Sequence, residues 1–181
     1  MPRKEVIKRD YVLERAFEMI RTKGYEQVTA RKLADELGCS TQPIFRLYSG
    51  MEELLDATYP MAIDFFHQYA KDFFGKNKIP FIDLGMAYVT FAKEEPYLFK
   101  LLFLSEVRKG KSMYELLNSS EGYVTGEIRK ANLAGCQQSS ELFMKLWICI
   151  HGIACMTLTD DYDLTPEETV SLLKDSYYAY F

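Results

Sequence analysis

Residues 30–48 read ARKLADELGCSTQPIFRLY, and this stretch decides the fold. Counting from Ala30, the fifth residue is Ala34 and the ninth is Gly38. A helix-turn-helix needs those types for steric reasons. The fifth side chain lies where the second helix crosses the first, so it must be small. The ninth residue turns the chain with positive φ, which glycine tolerates. Thr29 stands where a hydroxyl can accept from the orphan amides of the first turn. Leu33, Leu37, Ile44 and Leu47 fall where both helices share a core with a supporting helix. The second helix, about 41–48, is left with Thr41, Gln42, Pro43, Phe45 and Arg46 facing out. Gln pairs with adenine and Arg with guanine in the major groove. Thr29 and Ser40 are candidates for phosphate contacts, and Arg3, Lys4, Lys8 and Arg9 for tracking the backbone. The bland reading of the stretch is an ordinary helical hairpin.

Outward from this stretch the periodicity is helical throughout. Val12, Leu13, Ala16, Phe17 and Ile20 make an apolar stripe on a first helix, about 5–23, which stops at Gly24. Ser49-Gly50 breaks the chain, and a long helix is expected from about Glu52 to Phe74, with Pro60 as a point for a kink. Further helices are expected at about 81–94, 96–108, 120–134, 138–158 and 166–180. Thr165-Pro166 opens the last of them, with Glu167 and Glu168 at its positive end. No β-hairpin or β-α-β pattern is present. The expected fold is all-α: a three-helix helix-turn-helix domain over 1–50 and a helical ligand-binding and dimerisation bundle over 51–181.

Charge is divided along the chain. Residues 1–50 carry ten Lys/Arg against seven Asp/Glu, and residues 51–181 carry twelve against nineteen, so +3 and −7 sum to the net −4. A basic head on an acidic body suits a DNA-contacting end. The four cysteines, Cys39, Cys136, Cys149 and Cys155, form no C-x-x-C pair, and only two His are present. No metal site, cofactor or disulfide framework is expected from them. No leader and no membrane span is read, so a cytoplasmic location is expected. Enzyme chemistry has no support: there is no nucleophile triad order and no phosphate loop. The carboxylate pairs Glu94-Glu95 and Asp160-Asp161 are adjacent on a helix and point apart.

The first fifty-odd residues resemble the TetR family of bacterial regulators. The resemblance is carried by Ala16-Phe17, Gly24-Tyr25, Thr29-x-Arg31-x-Leu33-Ala34-x-x-Leu37-Gly38-Cys39-Ser40, Ile44-Phe45-x-x-Tyr48 and Glu52-Glu53-Leu54-Leu55. It implies a third helix in the major groove, a homodimer on a near-palindromic double-stranded operator, and a small-molecule effector. It also adds Arg31 and Tyr48 to the DNA-contacting set. Phe45 stands where the family usually has Tyr, Tyr48 where it has Phe, Leu47 in place of a common His and Met51 in place of a phosphate-binding Lys. These departures imply weaker backbone contact or altered docking, and they keep open the alternative of a helical interaction protein that has lost specific DNA binding.

The C-terminal body is similar to a sub-class with a Trp-x-x-x-His-Gly signature, here Trp147 to Gly152, and residues 87–99 also look like it. Aromatics on the long helix and beyond suit a pocket for an apolar or aromatic ligand. The candidates are Phe66, Tyr69, Met86, Phe103, Tyr123, Phe143, Trp147 and His151, against the plainer reading that most are core. Trp147 and His151 share a helix face, and a lone His there is more often structural. Gly152 implies close helix packing, within the subunit or across a dimer. The last two helices are dimer-interface candidates through Leu142, Leu146, Ile150, Ala154, Val170, Leu172, Leu173, Tyr177 and Tyr180.

Overall fold

The computed structural model describes residues 7–105, 112–118, 122–136 and 138–179. Ten α-helices occur among them, in the order α1 (Arg9–Lys23), α2 (Ala30–Glu36), α3 (Gln42–Leu47), α4 (Met51–Lys71), α5 (Pro80–Glu94), α6 (Pro96–Phe99), α7 (Met113–Asn118), α8 (Tyr123–Leu133), α9 (Ser139–Thr157) and α10 (Pro166–Tyr178). The described residues contain no strand. The chain forms two compact units. One holds residues up to Phe65 together with 97–107, and the other holds 66–96 and the remainder. Helix α4 runs through the first division, and Pro60 lies exposed within it.

In the first unit, α1 buries most of the predicted stripe: Val12, Ala16, Phe17 and Ile20 are inside, while Leu13 is half-buried. Leu33 and Ala34 of α2 and Ile44 of α3 are buried in the same unit. Helix α1 ends at Gly24, whose φ of 91° and ψ of 153° lie in a region open to glycine alone. A Cβ there would stand 3.0 Å from Cδ1 of Tyr97. Tyr97 belongs to the return segment, where Leu98, Phe99, Leu101, Leu102 and Phe103 are buried. The expected single helix over 96–108 is instead α6 followed by a π-helical turn, Lys100–Leu104. Apolar residues on every side of this segment gave no phase from which to read that widening.

In the second unit, α5 packs chiefly on α9, with α8 and α10 beside them. Gly85 marks the close approach, because a Cβ there would lie 2.8 Å from Cδ1 of Ile150. Buried Asp83, in the first turn of α5, accepts from the backbone N–H groups of Gly75 and Asn77 at 2.9 and 3.2 Å and from Nδ2 of Asn77 at 2.7 Å. One carboxylate thereby fixes the α4–α5 loop. Thr165 and Glu168 form a capping box at α10.

Helix α7 lies between the helices expected at 96–108 and 120–134, where no element is expected. The backbone N–H of Ser112 donates to Oε2 of Glu115 at 2.6 Å, and the N–H of Glu115 donates to Oγ of Ser112 at 3.2 Å. That is a Ser-x-x-Glu box, a signal present in the sequence.

Candidate functional site

The helix-turn-helix is built as its spacing requires. The Thr29 hydroxyl accepts from the N–H of Lys32 at 3.3 Å, capping α2. Gly38 makes the turn at φ 63°. Ile44 points inward, and Gln42, Phe45 and Arg46 face solvent, with Thr41 and Pro43 half-buried beside them. Phe45 is 49% exposed, which leaves a large apolar surface on α3. Arg31 and Ser40 are also exposed. Among the described residues no ion pair is made by Arg31 of α2 or by Arg46 of α3, and both are exposed.

A polar clasp fixes the two ends of this motif. Arg9, opening α1, donates to the carbonyl of Leu47 at 2.5 Å and to Oε1 of Glu53 at 2.6 Å. Its guanidinium also lies 4.1 Å over the Tyr48 ring. The Tyr48 hydroxyl donates to the carbonyl of Arg9 at 3.1 Å. Glu53 in turn accepts from the backbone N–H of Ser49 at 2.7 Å. The Ser49 N–H and then Arg9 hold the Glu53 carboxyl down at about 2. From the middle and the end of α1, Arg15 and Lys23 both pair with Glu36 of α2, and Lys23 foremost lowers that carboxyl. The recognition face therefore sits on a platform tied at both margins.

The second unit carries an aromatic cluster and, apart from it, a cavity. Trp147 meets Tyr88 edge-on at 4.7 Å and stacks on Phe143 at 6.1 Å. The Tyr88 hydroxyl and Nδ1 of His151 are 2.8 Å apart, and Nε2 of His151 is 3.7 Å from Sγ of Cys155. Phe66 packs edge-on against Phe91 and Tyr88. Tyr69 donates to Oε2 of Glu94 at 2.7 Å. Burial foremost, and then that acceptor, push its phenol far above the usual range. The cavity, of about 610 Å³, lies between the end of α4, the start of α5 and α8.

Two family descriptions match the sequence. "Bacterial regulatory proteins, tetR family" covers residues 12–58. "Tetracyclin repressor-like, C-terminal domain" covers residues 81–175, more than half of the chain. The chain belongs to the TetR family. Solved structures of similar fold include a TetR-family transcriptional regulator from a Rhodococcus species, with a TM-score of 0.64 and 14% identity over 95% of this chain and 97% of that one. Another from Marinobacter aquaeolei has a TM-score of 0.61 and 18% identity, covering 94% of each chain. The fatty acid degradation regulator FadR of Bacillus halodurans has a TM-score of 0.58 and 15% identity over 97% and 95%. No curated protein matches the sequence. The fold is that of TetR-family DNA-binding transcriptional regulators, a family of regulators rather than enzymes.

Within this TetR-family fold the expected DNA-contacting residues do not all stand alike. Arg31, Ser40, Thr41, Gln42, Pro43, Phe45 and Arg46 are wholly or partly accessible around α3. Thr29 is exposed but its hydroxyl is already used as a cap. Tyr48 is only 2% exposed and holds the clasp, so its place is beneath the face rather than on it. Arg9 belongs to the clasp too, which leaves Lys8 as the described exposed cation of that group; Arg3 and Lys4 lie outside the described residues.

The aromatic candidates of the TetR-like C-terminal body pack on one another. Phe103 belongs to the first unit and packs on Phe99 at 5.1 Å. Phe66 and Trp147 are buried, and Tyr69, Met86, Phe143 and His151 are half-buried. Tyr123 opens α8, and its side chain lies outside the described residues. None of the other seven lines the 610 Å³ cavity, which sequence reasoning missed because Phe74, Pro80, Phe81 and Gly126 come from three separate elements.

The dimer-face expectation needs correction. Leu142, Leu146, Ile150, Ala154 and Leu173 are buried inside the subunit, because α5 and α10 already cover that side of α9. Val170 and Tyr177 are half-buried and Leu172 is exposed, while Tyr180 lies outside the described residues. The exposed apolar residues of α9 are Met144, Ile148 and Met156, at 55%, 65% and 46%. Gly152 continues that four-residue spacing, and a Cβ on it would meet nothing within 4 Å. The close packing expected of Gly152 is thus absent within the subunit. Among the described residues no group of His, Cys, Asp and Glu could hold a metal, and no helix is long and apolar enough to cross a membrane.

Proposed function

We propose that this chain is a cytoplasmic, ligand-responsive repressor that works as a homodimer on a near-palindromic operator. The observation that carries the reading is the outward face of α3, where Gln42 and Arg46 stand exposed on a clasped platform, with Arg31 of α2 exposed as well. Gln42 reads adenine and Arg46 reads guanine, while Arg31, Ser40 and Thr41 contact phosphates. Phe45 offers its ring to a thymine methyl or a sugar, the role left to it without the hydroxyl of a Tyr.

Two copies pair through the outer face of α9, where Met144, Ile148 and Met156 are exposed around Gly152. Leu172 of α10 is exposed as well. Two-fold pairing sets the two α3 helices into successive major grooves. The effector binds in the second unit and favours one spacing of the two heads over the other. Helix α4 has residues in both units, so it is the element through which differential binding reaches α3.

Hydroxyl-radical footprinting on the DNA upstream of the chain's own gene tests the reading. Two protected stretches about one helical turn apart, with two subunits bound per site, are expected. A protein that protects nothing at moderate salt, with or without apolar ligands, would instead be a helical interaction protein.

A further inference from the structure

We propose that Phe45 is a base-reading residue whose target is the C5-methyl group of a thymine, so that the chain tells thymine from uracil at one position of each half-site. The inference rests on α3 as the DNA-reading element and names what one side chain on it reads.

The direction of Phe45 is fixed by what lies behind it. Ile44 is fully buried and Tyr48 is 2% exposed, so α3 is anchored from its inner side. Arg9 donates to the carbonyl of Leu47 at 2.5 Å, and the Tyr48 hydroxyl donates to the carbonyl of Arg9 at 3.1 Å. These contacts hold the rotation of α3 about its own axis. With 3.6 residues per turn, Gln42 and Arg46 then straddle the direction opposite Ile44, and Phe45 stands beside Gln42. Gln42 and Arg46 are exposed and Phe45 is 49% exposed, so the three make one outward patch.

Chemistry narrows the target. A phenyl ring has neither a donor nor a charge to offer a phosphate. In the major groove the base edges present donors, acceptors and one apolar group, the thymine methyl. Gln pairs bidentately with adenine, and every adenine is paired with a thymine whose methyl lies in the same groove. An apolar ring beside an adenine reader is therefore placed at a thymine edge. Uracil keeps the hydrogen-bonding groups of thymine and lacks only the methyl, so it isolates this contact.

The test uses the full chain and the duplex it protects upstream of its own gene. Uracil replaces thymine at one symmetric pair of positions at a time, and binding is followed by fluorescence anisotropy. One pair should weaken binding by about fourfold for each methyl lost, roughly fifteenfold for the two half-sites together, the worth of burying two methyl groups. Phe45→Ala alters an exposed side chain and should keep the parent's circular dichroism. It should bind the thymine duplex more weakly than the parent does, and the uracil duplex no worse than the thymine one. Phe45→Leu retains an apolar surface and should retain a preference for thymine. Arg46→Ala should bind both duplexes more weakly with the parent's ratio between them. The proposal is overturned if no position in the parent is sensitive to uracil, or if Phe45→Ala loses as much on uracil as the parent. A uniform loss in Phe45→Ala without uracil sensitivity in the parent would put the ring on a sugar instead. A parent that binds its operator specifically and with salt dependence, yet ignores the methyl, leaves α3 as the reading element and removes only this role of Phe45. A parent that binds no duplex removes both.

Discussion

Replacing Gly24 by Ala strikes the point where α1 ends. The backbone there, at φ 91° and ψ 153°, belongs to a region that only glycine occupies freely, and holding an L-residue in it costs about 1–3 kcal/mol. The new methyl would also stand 3.0 Å from Cδ1 and 3.3 Å from Cε1 of Tyr97, so the ring must move and disturb the return segment. The N–H of residue 24 still donates to the carbonyl of Ile20, as it does now at 2.9 Å, so no hydrogen bond is lost. The expected loss in urea unfolding is about 2–4 kcal/mol, combining that backbone strain with about 1 kcal/mol of overpacking. Tyr97→Ala removes the clash and leaves the strain. In a double-mutant cycle it should recover part of the loss, with a coupling of about 1 kcal/mol. Gly38→Ala, at φ 63° with nothing within 4 Å of its Cβ, should cost only the strain, about 1 kcal/mol. A Gly24→Ala protein within about 0.5 kcal/mol of the parent, the scatter of ordinary surface changes, would refute the reasoning.

Thr29→Ala removes the cap of α2 and should cost about 1 kcal/mol in the same urea assay; no loss would mean that the Lys32 N–H finds water at no cost. The depressed Glu53 carboxyl contributes stability that is present above its ordinary value of 4.5 and is lost as pH falls toward about 2. Thermal unfolding followed between those limits should therefore fall more steeply for the parent than for Glu53→Gln, and parallel curves would dissolve the clasp as an acid-sensitive element. Ile148→Lys puts a charge on a side chain that is 65% exposed in the subunit. Circular dichroism should stay unchanged while sedimentation shifts from dimer to monomer, and a dimer that persists would place the pairing face elsewhere.

Local signals were the most legible part of the sequence. Thr29, Gly38 and Thr165 each perform the capping or turning role that their chemistry dictates, since such roles depend only on neighbours in the chain. Ser112-x-x-Glu115 carries the same kind of signal for α7, in surroundings that lack a clear apolar stripe. Direction around a helix was harder to read. Helix α9 has apolar residues on both sides: Leu142, Leu146 and Ile150 face the core, and Met144, Ile148 and Met156 face outward. Periodicity alone gives such a helix no inside. Tyr48 shows the same limit at α3, where an aromatic at the edge of the recognition helix turned inward because Arg9 gave its ring and hydroxyl a partner. The cavity was least legible, since an empty volume is a property of three elements brought together and of what glycine leaves out.

Fluorescence anisotropy of labelled DNA from upstream of the chain's own gene, across a salt series, tests the central claim most directly. The parent protein should bind tightly, with affinity falling steeply as salt rises, and Arg46→Ala should weaken specific binding by about 1–3 kcal/mol, the worth of one bidentate base contact. A parent that fails to bind, or an Arg46→Ala protein that binds as tightly and as specifically as the parent, would contradict the assignment of α3 as the reading element.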